Sequence, residues 1–293
     1  MKKLDIKNLV ISTYFLILSV ICLTGYSQKK SEAAPAKGGV KIEYNYPEGK
    51  TFKYVTDSKI VEDMDVNGQS MLVNVAIYLG CEVKAVGKTG ENLKLEIKID
   101  SMAHNVESPQ GTAGGPISDI KDKSFNMVIS HTGKVIDLSE ASKIVYTIEG
   151  SGENNLTQSF LNYFPVLPAG KLNPGDTWAT NDTVNSKSPT NSNWMPVESN
   201  FKFEGIENID GIDCAKISSA LSGTRKMITQ AQGMEIHTSG PYTGTQLLFI
   251  AVKEGYLVKE TVTTKMTGNM EIPDQNMSFP VVMTGTATTQ VIK

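Results

Sequence analysis

Residues 92–100 read Asn-Leu-Lys-Leu-Glu-Ile-Lys-Ile-Asp, and this stretch decides the fold class. Leucine or isoleucine occupies every second position, and lysine or glutamate lies between them. Such an alternation is typical of a β-strand with one buried face and one solvated face. The stretch therefore predicts a half-buried strand of an antiparallel sheet.

The same alternation surrounds this strand and recurs in the second half of the chain. An apolar row runs through residues 69–83, and Asn67-Gly68 separates it from a similar run at 52–66. Asn-Gly is a strong hairpin signal because both residues tolerate positive φ. Later strand patterns cover residues 200–220, 245–252, 256–268 and 279–292. The chain is therefore predicted to be mostly β, built from antiparallel meanders.

The two halves resemble each other in order. Residues 47–52 (Pro-Glu-Gly-Lys-Thr-Phe) parallel residues 174–178 (Pro-Gly-Asp-Thr-Trp), because each is a turn followed by an aromatic residue. The alternative is that all β-meanders look alike at this level of detail. We predict an internal duplication that gives two similar curved sheets or half-barrels, with a short helical segment between them.

Composition shifts divide the chain into five segments. Residues 138–148 and 153–164 have local helix character, and Pro165 and Pro168 end it. Residues 108–116 and 181–196 are rich in small polar residues and are predicted to be loops. The predicted segments are a signal peptide (1–27), a flexible tether (28–39), a first β half (40–136), a helical connector (137–170) and a second β half (171–293).

The N-terminus carries the features of a secretory signal peptide. Lys2, Lys3 and Lys7 precede an almost wholly apolar stretch at residues 9–23, and small residues follow it. This order is that of a cleaved signal, and the apolar stretch is shorter than the about 20 residues that span a bilayer. We predict export, with cleavage after Ser27.

Lipid modification at Cys22 is an alternative. A lipoprotein signal has a small residue just before the cysteine and usually leucine three residues before it. The chain has Ile21 and Ser19 at these positions, so both depart from the pattern. Cys22 is otherwise one more apolar residue of the signal.

Charge and composition exclude several classes of protein. The chain has 293 residues, a formal net charge of −3, and only three His, three Cys and two Trp. Cleavage after Ser27 removes two net positive charges, so the mature chain carries about −5. An acidic chain has no electrostatic attraction to nucleic acid or to an anionic membrane. The only membrane contact predicted is through an N-terminal lipid.

Metal, cofactor and catalytic motifs are weak or absent. Residues 63–69 (Asp-Met-Asp-Val-Asn-Gly-Gln) match the first half of a calcium loop, but the twelfth position is Asn74 instead of glutamate. His104, His131 and His237 have no ligand spacing. Scattered acids such as Glu62, Asp63, Asp119 and Asp122 do not identify the carboxylate pair of a glycosidase. We predict no catalytic, cofactor or metal site.

Two kinds of covalent chemistry stay open at this point. Cys81 and Cys214 are the mature thiols, and an oxidising compartment favours pairing, although their strand faces do not. The tripeptides Asp100-Ser101-Met102 and Asp182-Thr183-Val184 look like O-glycosylation acceptors of some Gram-negative bacteria, but three residues often match by chance.

Several motifs resemble an uncharacterised family of exported envelope proteins from Bacteroidota-type Gram-negative bacteria. The motifs are residues 131–135 (His-Thr-Gly-Lys-Val), 164–168 (Phe-Pro-Val-Leu-Pro) and 174–178, together with Gln28 after the signal. They consist of turn and packing residues, so the resemblance implies a fold and no catalytic residues. At the level of fold, the one-sided strands and helical plug are similar to periplasmic lipoprotein carriers.

Three function classes follow from these features. The favoured one is an exported, non-catalytic envelope protein, periplasmic or associated with the outer membrane or cell surface, that binds an apolar or lipid-like ligand. The alternatives are a structural or adhesive surface protein and, less favoured, a hydrolase. A continuous apolar cavity would support the first class, and a tightly filled interior would contradict it.

Overall fold

The computed structural model of the chain describes residues 38–66, 68–148, 152–187, 191–231 and 234–292. The predicted signal peptide, its cleavage site, Cys22 and most of the tether lie outside these described residues. Over the described ranges, no helix is both long enough and apolar enough to cross a membrane.

Strands dominate the described chain. The strands are β1 (Val40–Lys41), β2 (Thr51–Val66), β3 (Gln69–Thr89), β4 (Asn92–Ser108), β5 (Gly111–Pro116), β6 (Ser124–Ile129), β7 (Val135–Asp137), β8 (Val145–Ile148), β9 (Gly152–Asn155), β10 (Lys171–Leu172), β11 (Thr177–Lys187), β12 (Asn191–Ile209), β13 (Ile212–Ala231), β14 (Met234–Ala251), β15 (Leu257–Ile272) and β16 (Met277–Ile292). One α-helix, α1 (Thr157–Phe160), and short 3₁₀ turns at Ser118–Ile120, Ala141–Lys143 and Pro273–Gln275 complete the described elements. The mostly β prediction is confirmed.

Twelve of the strands form one antiparallel sheet. Its order is β11-β12-β13-β14-β15-β16-β2-β3-β4-β6-β7, with β5 also paired to β4. The last strand of the chain pairs with the first long one, from Val281 opposite Met64 to Ile292 opposite Lys53. The two predicted halves are therefore joined edge to edge. The sheet stays open, because its end strands β7 and β11 do not pair with each other.

The sheet curls strongly. Ile60 on β2 and Met195 on β12 line one small cavity, although four strands lie between them in the sheet. Alternate residues of the long strands are buried, and these side chains define the inner face of the sheet. The curl brings side chains from distant strands together and fills most of the interior.

Two segments predicted as loops are strands. Residues 111–116 form β5, and the described residues within 181–196 belong to β11 and β12. In β12, Asn193, Met195 and Val197 are buried, whereas Trp194 and Glu198 are exposed. The polar composition of this segment suggests a loop, but pairing with β13 makes it a strand, since β-propensity depends strongly on tertiary context.

The connector, residues 137–170, is less helical than its sequence suggests. Its α-helix is limited to Thr157–Phe160, and β8 and β9 form a separate two-stranded hairpin. Residues 144–148 include Ile, Val and Thr, and β-branched side chains favour strands over helices. The connector therefore acts as an irregular plug.

The connector packs on one end of the inner face. Phe160 and Phe164 are almost fully buried in a first apolar cluster that also contains Tyr44 and Tyr46. The Tyr44 hydroxyl donates a hydrogen bond of 3.0 Å to the Pro165 carbonyl, which ties the N-terminal segment to the connector. A second apolar cluster, formed by strand side chains alone, fills the other end.

The turn at residues 130–134 explains one motif of the resemblance. Gly133 has φ +87°, and a Cβ placed there would lie 2.6 Å from the Tyr44 ring. The Leu167 amide donates to the Thr132 carbonyl at 2.8 Å. These motif residues lock the connector to the sheet, and they contribute packing instead of chemistry.

Candidate functional site

A band of polar side chains crosses the inner face between the two apolar clusters. Its members lie in two neighbouring rows of paired residues that run across the strands. Their side chains point to the same side of the sheet as the buried apolar residues. These residues, here called the polar band, are Thr56, Ser58, His104, Ser219, Gln246, Glu260 and Thr289. Five of them are buried to below one tenth exposure, so the band is an interior feature.

A cavity of about 60 Å³ lies against the polar band. The connector forms its other wall through Ser159, Asn162 and Tyr163. The remaining lining residues come from the sheet: Thr56, Ser58, Ile77, Leu79, Met102, Glu260, Val262, Ala287 and Thr289. Hydroxyls, one amide and one carboxyl thus share the cavity with apolar side chains, so its chemistry is amphipathic.

Among the described residues, Glu260 is the only one that brings a carboxyl group to the lining of this cavity. Gln246 donates a hydrogen bond of 2.7 Å from Nε2 to Glu260 Oε1, and Gln246 Oε1 accepts one of 3.2 Å from Ser219. Burial raises the pKa of the Glu260 carboxyl to about 7, against the opposing effect of the Gln246 hydrogen bond. The three side chains lie on neighbouring strands and fix the orientation of the carboxyl group.

A second set of buried polar side chains lies within the second apolar cluster. Arg225 donates from Nε to Asn193 Oδ1 at 2.9 Å, and Tyr242 donates to the Pro196 carbonyl at 2.9 Å. Burial raises the pKa of Glu62 to about 7, while the positive charge of Arg225 lowers it. Burial also lowers the pKa of Arg225 to about 10. The charge of Arg225 therefore offsets only part of the effect of burial on the Glu62 carboxyl group.

Methionine is abundant in the second cluster. Five of its eighteen buried members are methionines, namely Met64, Met195, Met266, Met270 and Met283. Three of these residues also line a cavity of about 20 Å³. Methionine is unbranched and flexible, so such a lining changes shape more easily than one of Leu, Ile or Val.

Around the polar band and the second cluster, the described residues enclose small cavities instead of the continuous apolar cavity that would support a lipid-binding protein. In the described part of the chain, the cavity at the polar band measures about 60 Å³ and is partly polar, and a cavity within the second cluster measures about 20 Å³. A surface groove of about 480 Å³ crosses β2 to β5, but its ionisable residues, Lys59 and Glu107, are exposed. We therefore place the candidate site at the polar band.

Cys81 and Cys214 do not form a disulfide with each other. Cys81 and Cys214 are both free and buried. The Cys81 sulfur lies 3.4 Å from the Tyr163 hydroxyl, and burial raises the pKa of the Cys81 thiol to about 12. Burial raises the pKa of Cys214 to about 11. Thiols with such pKa values are poor nucleophiles at neutral pH.

The other sequence candidates lie apart from one another. His104 is buried on β4, the His131 Nδ1 contacts the Tyr44 carbonyl at 2.8 Å, and His237 contacts Glu235 on β14. Asp65 Oδ1 accepts from the Gly68 amide at 2.7 Å, as expected for a hairpin turn. Among the described residues, no group of three or more His, Cys, Asp and Glu could hold a metal.

The possible acceptors for glycosylation differ in exposure. Thr183 is exposed on the edge strand β11, whereas Ser101 is partly buried on β4. Asp63, Asp119 and Asp122 lie on solvated positions. The tripeptide at 182–184 is therefore the more accessible of the two.

Sequence reasoning misses two carboxyl groups on the inner face of the sheet. It groups Glu62 with surface acids, although this residue is only 3% exposed, and it does not single out Glu260. Both carry a detectable signal. Glu260 is separated by an even number of residues from Val262 and Met266 on its strand, so it lies on the same face as these apolar residues. Glu62 has the same relation to Ile60. A carboxyl group on the apolar face of a strand is unusual enough to mark a position for inspection.

Comparison with known proteins gives no family. No protein-family model and no curated protein matches the chain. Similar solved structures include an outer membrane channel from Pseudomonas putida F1, with 9% identity, a TM-score of 0.32, and coverage of 89% of this chain and 100% of that one. The resemblance to exported Bacteroidota proteins stays a prediction from sequence.

Two further solved structures are similar at the same low level. DynF, from the dynemicin biosynthesis pathway of Micromonospora chersina, has 5% identity, a TM-score of 0.26, and coverage of 90% of this chain and 92% of that one. A DUF1329 family protein from Desulfovibrio piger has 12% identity, a TM-score of 0.12, and coverage of 81% and 85%. Similarities of this size carry no argument about ligand or activity.

Proposed function

We propose that the chain is an exported, non-catalytic protein of the cell envelope that binds an amphipathic small molecule inside its curled sheet. The observation that carries this proposal is the position of the cavity at the polar band. Polar groups from the band and the connector adjoin Val262 of the methionine-rich cluster and Ile77, which packs against that cluster. A ligand with a polar end and an apolar chain matches that arrangement.

The apolar chain would enter the second cluster. The cavity there measures about 20 Å³, which is far below the roughly 300–1,000 Å³ of typical ligand pockets. Binding therefore requires side chains such as Met266 and Met283 to move aside. Their flexible side chains make this rearrangement less costly than the same movement of branched residues.

Binding is favoured over hydrolysis by the composition of the cavity. Glycoside hydrolysis uses two carboxyl groups across the scissile bond, and the described cavity lining holds only Glu260. The high pKa values of the two cysteines argue against a thiol nucleophile. Export rests on the signal-like residues 1–27, and an exported chain would reach the compartment in which an envelope carrier operates.

Native mass spectrometry of the full chain, expressed with its own N-terminus and recovered from the cell envelope, tests this proposal. We expect a mature chain that begins at Gln28 and a bound molecule that organic solvent extracts. A chain that begins at a lipidated Cys22 would contradict the predicted cleavage. Protein that carries no ligand and acquires none from added dodecanol or dodecylamine would contradict the binding function.

Matched variants locate the bound molecule. Ala287→Leu adds side-chain volume to the cavity wall and is expected to reduce ligand occupancy at least tenfold. Ala76→Leu places the same side chain at an exposed position of β3 and should leave occupancy unchanged. Thermal unfolding of both variants checks that they are folded. Equal occupancy in the two variants would contradict binding at this cavity.

A further inference from the structure

We infer that the polar end of the ligand is a hydrogen-bond-donating cation, such as a primary ammonium group, held by Glu260. This inference rests on the proposed binding function and names the chemical class of the ligand. Glu260 is the sole carboxyl group of the described cavity lining, which contains no Lys, Arg or His. The lining therefore offers a cation a partner of opposite charge and offers an anion only neutral hydrogen-bond donors.

The hydrogen bonds around Glu260 support this assignment. Ser219 donates to the Gln246 carbonyl oxygen, so the Gln246 amide nitrogen faces Glu260 Oε1. The described residues give Glu260 Oε2 no hydrogen-bond partner. Thr56 and Thr289 face the same cavity, with their hydroxyls 2.9 Å apart. An ammonium group has three donors, which match the free carboxyl oxygen and two neutral acceptors.

The other ionisable groups near Glu260 are neutral around physiological pH. Burial raises the pKa values of Tyr163, on the connector, and Tyr44, on the N-terminal segment, well above their usual value. Burial lowers the pKa of His104, on β4, to about 4. On the two adjacent strands, the residues paired with Glu260 are Leu248 and Thr289, which carry no charge. Glu260 therefore sets the charge of the site.

Ionisation of Glu260 couples ligand binding to pH. The Glu260 carboxyl group, which is partly buried, gains a charge-assisted hydrogen bond when a cation binds, and this interaction requires its ionised form. Burial raises the pKa of Glu260 to about 7, so raising the pH from 5.5 to 8 increases the ionised fraction about thirtyfold. Binding of a cation should therefore strengthen with pH, while binding of an uncharged alcohol should not change.

Three probes with the same alkyl chain test the inference by titration of the mature protein below micellar concentrations. We expect dodecylammonium to bind more tightly than dodecanol, and dodecanoate to bind least. The affinity for dodecylammonium should rise about thirtyfold from pH 5.5 to 8, in proportion to the ionised fraction of Glu260. Glu260→Gln should abolish both the preference and the pH effect. Glu271→Gln, at an exposed position of the same strand, should change neither.

The outcomes separate the two proposals. Failure of all three probes to bind overturns the binding function itself. Binding of dodecanoate as tightly as dodecylammonium overturns the cation assignment and leaves the binding function in place. The cation assignment is likewise overturned if folded Glu260→Gln protein, checked by circular dichroism, keeps the preference for dodecylammonium.

Discussion

Replacing Phe164 by alanine is expected to lower the free energy of unfolding by about 3–5 kcal/mol, the usual cost of truncating a buried phenylalanine. Phe164 is 1% exposed, and its ring centroid lies 5.3–5.8 Å from those of Tyr163, Tyr44 and Tyr46. The change leaves a hole where the connector meets the N-terminal segment. Urea unfolding followed by circular dichroism measures the loss.

The control for this prediction is a truncation outside the core. Ile136 on β7 is 50% exposed, so Ile136→Ala should change stability by no more than about 0.5 kcal/mol. A cost of less than about 1 kcal/mol for Phe164→Ala would contradict the prediction, because it would mean that this aromatic cluster does not anchor the connector.

Substitution of Glu62 by glutamine is expected to change how stability depends on pH. Burial raises the pKa of this carboxyl from 4.5 to about 7 in the folded protein. Between about pH 4.5 and 7, the folded state therefore keeps a proton that the unfolded state has lost. The stability that this proton contributes is fully present below about pH 4.5 and is lost as the pH rises through 7.

The size of the effect follows from the pKa shift. One pKa unit corresponds to about 1.4 kcal/mol, so the stability of the native protein should fall by about 3 kcal/mol relative to Glu62→Gln between pH 4.5 and 8. Urea unfolding of both proteins over this range measures the difference. A difference that does not vary with pH would show that Glu62 titrates normally.

Arg225→Gln is the partner variant of this experiment. It removes the positive charge that lowers the pKa of Glu62, so the fall in stability should continue to higher pH.

His104 acts in the opposite direction, because burial lowers its pKa to about 4 and its stabilising effect is lost as the pH falls. Comparison with Glu62→Gln removes the His104 contribution, which is common to both proteins.

The sequence predicts the strands well because their alternation is a direct consequence of one buried face. The hairpin of β2 and β3 and the strand that begins at Asn92 lie where the pattern places them. The connector is harder to predict, since Thr157–Phe160 is too short to form a helix without tertiary packing. The edge-to-edge joining of β16 and β2 depends on pairing between distant residues, which no local pattern encodes.

The candidate site is hidden from the sequence for a related reason. Glu260, Gln246 and Ser219 are far apart in the chain, and only the sheet register brings them together. Strand parity marks Glu260 as inward-facing, but it does not identify the connector residues Ser159 and Asn162 that close the cavity. The chemistry of the site therefore depends on tertiary structure more than on any motif.

The most direct test of ligand binding inside the sheet is NMR of protein labelled with ¹³C at its methionine methyl groups, titrated with dodecylammonium. Met102 lines the cavity, and Met266 and Met283 lie in the adjoining cluster. We expect these three signals to shift, while Met127, buried in the first cluster on β6, stays in place. If Met102, Met266 and Met283 do not move, the ligand does not enter the sheet and the central claim is contradicted.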